Sequence, residues 1–118
     1  SGVVYHANYL RFMERARSDM LARVGIDQRA AFDSNQGVYA VANLAIKYRA
    51  PARLDDALTV VSHVQAVGAA TATIHQAVMR GDELLTEATV TAAFLTREGR
   101  PQRQPKPWVE AFARLASA

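Results

Sequence analysis

An α+β fold is predicted by three features of this sequence. Apolar residues first recur at helical spacing near the N-terminus, then switch to period two from Val38 onward, with turn residues separating the later segments. One amphipathic helix, three or four long antiparallel strands and a short closing helix is an α+β order, in which the helix needs the apolar face of the sheet.

The first helix follows from Tyr9, Met13, Ala16, Met20 and Val24, spaced by four, three, four and four, with Leu10, Phe12 and Leu21 widening the stripe. Arg11, Glu14, Arg15, Arg17, Asp19 and Arg23 fill most of the other face. Gly25 stands where a left-handed C-terminal cap is expected, and His6 or Asn8 lies near the start. A helical turn over Gln28–Phe32 follows, with Asp27 as its N-cap.

In the first strand Val38, Ala40, Ala42, Leu44 and Ile46 alternate with Tyr39, Val41, Asn43, Ala45 and Lys47. Ala50-Pro51-Ala52-Arg53-Leu54-Asp55-Asp56 signals a turn. A second strand spans Leu58–Val67 and stops at Gly68; a third spans Thr71–Met79; Gly81-Asp82 reads as a hairpin turn into a fourth over Leu84–Thr96. Arg100–Pro107 is a Pro/Arg loop, and Pro107–Ala116 forms the last helix, with Trp108, Phe112 and Leu115 on one side.

At 118 residues and 12.9 kDa, with 50% hydrophobic and 21% charged residues, the chain fits one globular domain over 1–118, undivided by linker or repeat. No apolar run approaches the roughly 18–20 residues of a membrane span, and no signal-peptide pattern is visible. The absence of cysteine excludes disulfides, thiolate metal sites and cysteine nucleophiles, and suits a reducing compartment; a cytoplasmic location is expected. The net charge of +3 is matched by residues 97–106 alone, where Arg97, Arg100, Arg103 and Lys106 face Glu98. A nucleic-acid binder would spread its cations over a face with aromatics between them, so no nucleic-acid partner is expected. A short basic stretch is either a solvated loop or a contact for a localised anion such as a ligand phosphate.

The glycines are isolated, so no phosphate-cradling loop or dinucleotide fingerprint is present, and no Gly-x-Ser-x-Gly elbow occurs. His6, His63 and His75 lie on different elements without metal-ligand spacing, and no metal site is expected. His63 and His75 are expected on strands in hydrogen-bonded structural roles.

One dense cluster remains, Gly2 to Arg17, with polar aromatic residues where the first helix begins. The first turn of a helix has free N–H groups and about half a unit of positive charge, which can hold an anion or a developing oxyanion. Within the cluster, Val4-Tyr5-His6-Ala7-Asn8-Tyr9-Leu10 followed by Phe12, Glu14 and Arg15-Ala16-Arg17 resembles the signature of hotdog-fold acyl-CoA thioesterases. The resemblance is to the Tol–Pal-associated acyl-CoA thioesterases and, more distantly, to the 4-hydroxybenzoyl-CoA thioesterase family. Tyr48-Arg49-Ala50-Pro51-Ala52-Arg53-Leu54-Asp55-Asp56 resembles the same group at the matching distance.

The resemblance implies a hotdog fold, a long central helix wrapped by an antiparallel β-sheet, and a homodimer or homotetramer with sites at the subunit interface. It implies hydrolysis of acyl-CoA to free acid and coenzyme A, the coenzyme being part of the substrate and no cofactor being needed. The family's catalytic aspartate would fall two positions before Ser1, and its first strand would also lie upstream. The chain is therefore expected to be an N-terminally incomplete domain or a degenerate, catalytically inactive relative that binds acyl-CoA, an acyl-carrier protein or another protein.

By position, the resemblance makes the backbone N–H of His6 the oxyanion donor. The His6 side chain either orients water or the carboxylate, or packs and caps. Tyr5, with Asn8, positions the loop. Glu14 lies eight residues past His6, about 12 Å along a helix, where a sister clade carries its catalytic glutamate. It is either a base or the partner of a nearby arginine. Lys47, Arg53, Arg100 and Arg103 are the expected contacts for coenzyme A phosphates; an acidic acyl-carrier protein could also dock on the basic loop.

Overall fold

A computed structural model describes residues 6–53 and 55–117, with the side chains of 6–8 and 117 outside the description. The element order is α1 (His6–Arg23), α2 (Gln28–Asp33), β1 (Val38–Tyr48), β2 (Thr59–Val67), β3 (Thr71–Arg80), β4 (Glu83–Leu95) and α3 (Lys106–Ser117). The strands form one antiparallel sheet in the order β1-β4-β3-β2. β1 and β2 are consecutive in sequence yet lie at opposite edges, so residues 49–58 carry the chain across the sheet end.

Local chemistry accounts for the boundaries. Gly25, at φ +83°, ends α1 in a paired cap: its N–H donates to the Ala22 carbonyl, and the Ile26 N–H donates to Leu21. Leu21 and Ile26 are buried in one cluster, which adds the apolar contact such a cap favours. The Asp27 carboxylate caps α2 by accepting from the Ala30 N–H at 2.9 Å. Gly81, at φ +58°, makes the tight β3–β4 turn, across which Arg80 pairs with Glu83 at 2.7 Å.

The core has two parts along α1. One gathers Tyr9, Met13, Ala52, Val78, Leu85, Ala88 and Val90. The other gathers Leu21, Ile26, Val64, Ala72, Ile74, Ala111 and Phe112, with Trp108 and Leu115 of α3 packed against it. At the far end, Tyr39, Phe94, Trp108 and Phe112 form an aromatic group. Burial pushes the Tyr39 hydroxyl pKa up, and that hydroxyl donates to Gln104.

Strict alternation in β1 is corrected by the structure. The register shifts between Val41 and Asn43, so Tyr39 and Val41 share the inward face with Leu44, Ile46 and Tyr48 rather than with Asn43, Ala45 and Lys47. A bulge inserts one residue and flips the phase of everything beyond it, which a period-two pattern cannot register. A second shift in β2, between Val64 and Ala66, does the same.

Candidate active site

The backbone of α1 begins at His6, and no acidic side chain lies in its first turn to offset the helix dipole. Tyr5 lies outside the described residues, as does the side chain of His6. One turn inward, Tyr9 is buried with its ring centroid 5.9 Å from that of Tyr48 on β1. Partial burial first, then the neighbouring Tyr9, pushes the Tyr48 hydroxyl pKa up.

From this aromatic pair an apolar path runs along β1. Tyr48, Leu44 and Val41 point inward but stay 48%, 41% and 50% exposed, because α1 packs over β2 and β3 instead. The path ends in a cavity of about 130 Å³ walled by Leu21, Tyr39, Val41, Ile74, Ala92 and Phe112. Glu14, Arg17, Ser18 and Gln28 supply its polar lining.

Glu14 is therefore on the helix face that borders the cavity. The expected ion pair is not formed as a direct contact: among the described residues Arg17 donates instead to Gln76 Oε1 at 2.8 Å. Burial lowers the Arg17 pKa, and the charge of Glu14 opposes that shift.

The four expected phosphate contacts do not meet within one chain. Arg53 borders an open groove of about 550 Å³ with Phe12, Arg15, Asp56, Leu58 and Val60, on the other side of α1 from the cavity. Lys47 is exposed and pairs in register with Glu87, on the sheet face turned away from α1. That outer face also holds the neighbours His63 and His75; His75 lies 3.7 Å from Glu87, which pairs with Arg49 at 3.2 Å. Arg100 and Arg103 are exposed in the loop after β4, beside the Val38↔Leu95 end of the sheet. Thr86 and Leu95 are nine residues apart on β4, and at about 3.3 Å per residue the two ends lie roughly 30 Å from each other. Arg100 and Arg103 thus share a loop at one end of the sheet, while Lys47 and Arg53 lie toward the other, which a list of basic residues does not reveal. In that loop Arg97 stacks 4.6 Å over the Phe32 ring.

Gln76 lies in no motif, and the sequence marks Arg17 only as the last residue of the family signature and as part of the polar helix face. The available signal was a polar residue at an inward position of β3, between Ile74 and Val78.

Among the described residues, no group of three metal-ligating side chains comes together, and no helix is long and apolar enough to cross a membrane.

A family model described as the thioesterase superfamily matches residues 1–100. Acyl-CoA thioesterase YbgC of Haemophilus influenzae is 39% identical over 115 residues, covering 97% of this chain and 85% of that protein. Acyl-CoA thioester hydrolase YbgC of Escherichia coli O157:H7 is 33% identical, covering 94% of this chain and 84% of its own length. Among solved structures, a probable thioesterase from Bartonella henselae superposes with a TM-score of 0.81 at 32% identity, over 88% of this chain and 86% of that one. A 1,4-dihydroxy-2-naphthoyl-CoA thioesterase from Synechocystis shares the fold, with a TM-score of 0.87 at 20% identity over 97% of this chain and 85% of that one. The helix laid on a four-stranded antiparallel sheet is thus the expected hotdog architecture, and the chain belongs to the thioesterase superfamily.

Proposed function

We propose that this chain is an acyl-CoA thioesterase that hydrolyses an acyl-CoA thioester to the free acid and coenzyme A. The observation that carries the reading is the exposed apolar path from the Tyr9–Tyr48 pair to the cavity beneath α1, which suits an acyl group held beside a helix start. The YbgC relatives, at 39% and 33% identity over nearly the whole chain, support the same substrate class.

In this reading water adds to the thioester carbonyl carbon, and the backbone N–H of His6 stabilises the charge that develops on oxygen. Collapse of the adduct expels the coenzyme A thiolate, which takes up a proton. The activating carboxylate is the aspartate that the family resemblance implies upstream of Ser1. Glu14, bordering the cavity, is the second candidate. The His6 side chain orients water or carboxylate, and Tyr5 holds the loop. No cofactor takes part; coenzyme A enters with the substrate. The protein works as a cytoplasmic homodimer or homotetramer, and either acyl-CoA or an acyl-carrier-protein thioester can present the acyl group.

A thiol-release assay over acyl-CoAs of graded chain length tests the reading, run on these 118 residues and on a chain extended upstream. The extended chain is expected to turn over, and the shorter one to be slower by about 10²–10⁴-fold, the usual cost of losing a positioned base. Equal turnover by both moves the carboxylate role to Glu14. No turnover by the extended chain, with coenzyme A still bound, favours a binding protein.

A further inference from the structure

Gln76 occupies an inward position of β3 between the buried Ile74 and Val78, and its exposure is 0%. Its amide nitrogen and oxygen are both engaged. Nε2 donates to the Met13 carbonyl and to Ser62 Oγ, both at 2.9 Å, and Oε1 accepts from Arg17 Nη1 at 2.8 Å. One side chain from the sheet therefore holds α1 at two points a turn apart. An amide at the middle of a core loses hydration that an apolar residue would not, so its directional bonds are what it adds.

Direction matters here because, among the described residues, the rest of the grip on α1 is apolar. Tyr9 and Met13 are buried at one end of α1 and Leu21 at the other, in separate clusters. Apolar burial is non-directional, so these contacts alone resist rolling or sliding weakly. The Met13 carbonyl belongs to the peptide that leads into Glu14, and Arg17 lies one turn beyond; Glu14 and Arg17 both border the cavity.

We propose that Gln76 is a positioning residue for the reaction. By clamping the Met13 carbonyl and the Arg17 guanidinium, it sets the register of α1 on the sheet. That register aims the first-turn N–H groups at the thioester and places Glu14 and Arg17 at the acyl cavity. The assignment rests on the thioesterase reading above. A misplacement of about 1 Å in such a site can cost up to 10²-fold in rate.

The test compares Gln76→Met, which keeps the length and removes every bond, with Gln76→Glu, which keeps an acceptor for Arg17 and cannot donate to Met13. Both are made in the full-length protein and assayed well below their melting temperatures. Gln76→Met is expected to lower kcat about tenfold or more with KM for acyl-CoA within about twofold, and Gln76→Glu to fall between it and wild type. A merely structural amide would lower Tm without moving kcat relative to KM, and an unchanged kcat overturns the proposal at any Tm. If Gln76→Met does not fold, Gln76→Glu decides by the same criterion. Absence of wild-type turnover counts against the thioesterase reading, not the clamp. Hydrogen exchange then tests the clamp: α1 amides of Gln76→Glu should exchange faster while β3 and β4 keep wild-type rates, and an unchanged α1 overturns it.

Discussion

Arg80, at the end of β3, reaches the Asp56 carboxylate at 2.6 Å, and the same carboxylate oxygen accepts from the Arg53 backbone N–H at 2.7 Å. The pair holds Arg53 to Asp56 and ties the β1–β2 crossover to the β3–β4 hairpin. These bonds, the Arg53 N–H first and the Arg80 guanidinium second, hold the Asp56 pKa below the usual carboxylate value. A depressed carboxylate stabilises the fold above its unfolded-state pKa and loses that contribution as pH falls through its folded-state pKa. Asp56→Asn should therefore lower Tm at neutral pH, and the gap from wild type should close as pH falls through and below about 4. Melting curves across pH check this; a constant gap would contradict the linkage.

Gly37 has φ +148° in a crowded position. A Cβ there would meet the Gln102 amide, the Phe94 ring and the Leu95 carbonyl oxygen, the last at 2.8 Å. Gly37→Ala should cost about 1–3 kcal/mol through overpacking alone, and strain at this φ adds to it. Chemical denaturation measures the loss, and wild-type stability would show that this junction opens freely.

Thr86 is 0% exposed, and among the described residues its hydroxyl has no hydrogen-bond partner. Leaving a buried hydroxyl unpaired costs about 1–3 kcal/mol. Thr86→Val keeps the shape and the branched strand preference, so the variant should be more stable by roughly that amount. A lower midpoint in denaturant would mean that the hydroxyl is engaged in solution.

Coenzyme A should raise Tm in a salt-dependent way, because exposed phosphate contacts are screened. Arg53 and the Arg100/Arg103 pair sit near opposite ends of the sheet. If one chain holds each phosphate group alone, either Arg53→Ala or Arg100→Ala with Arg103→Ala should reduce the protection, but not both. Loss in both variants would place the site across two chains. Arg53→Lys should recover only part of any loss, because the planar fork is absent.

Helix, strands and turns were legible because they rest on local rules. Tyr9–Val24 carries the helical period, Gly25 supplies the left-handed cap, Asp27 caps α2, and Gly81-Asp82 makes the hairpin. The family motif through His6 and Glu14 was also written in the chain itself, and the whole-chain relatives agree with the family it indicated. Tertiary structure decided the rest. The bulge at Val41–Asn43 changed which β1 side chains line the apolar path, because its phase depends on pairing with β4. The sheet order set Lys47 and Arg53 apart from the Arg100/Arg103 pair, because strand neighbours are chosen by non-local contacts. Gln76, 59 residues from Arg17 and 63 from Met13, became a clamp only when β3 folded beneath α1. A sequence displays the groups a site can use; which of them share a few ångströms is set by long-range burial and hydrogen bonding, which no local pattern encodes.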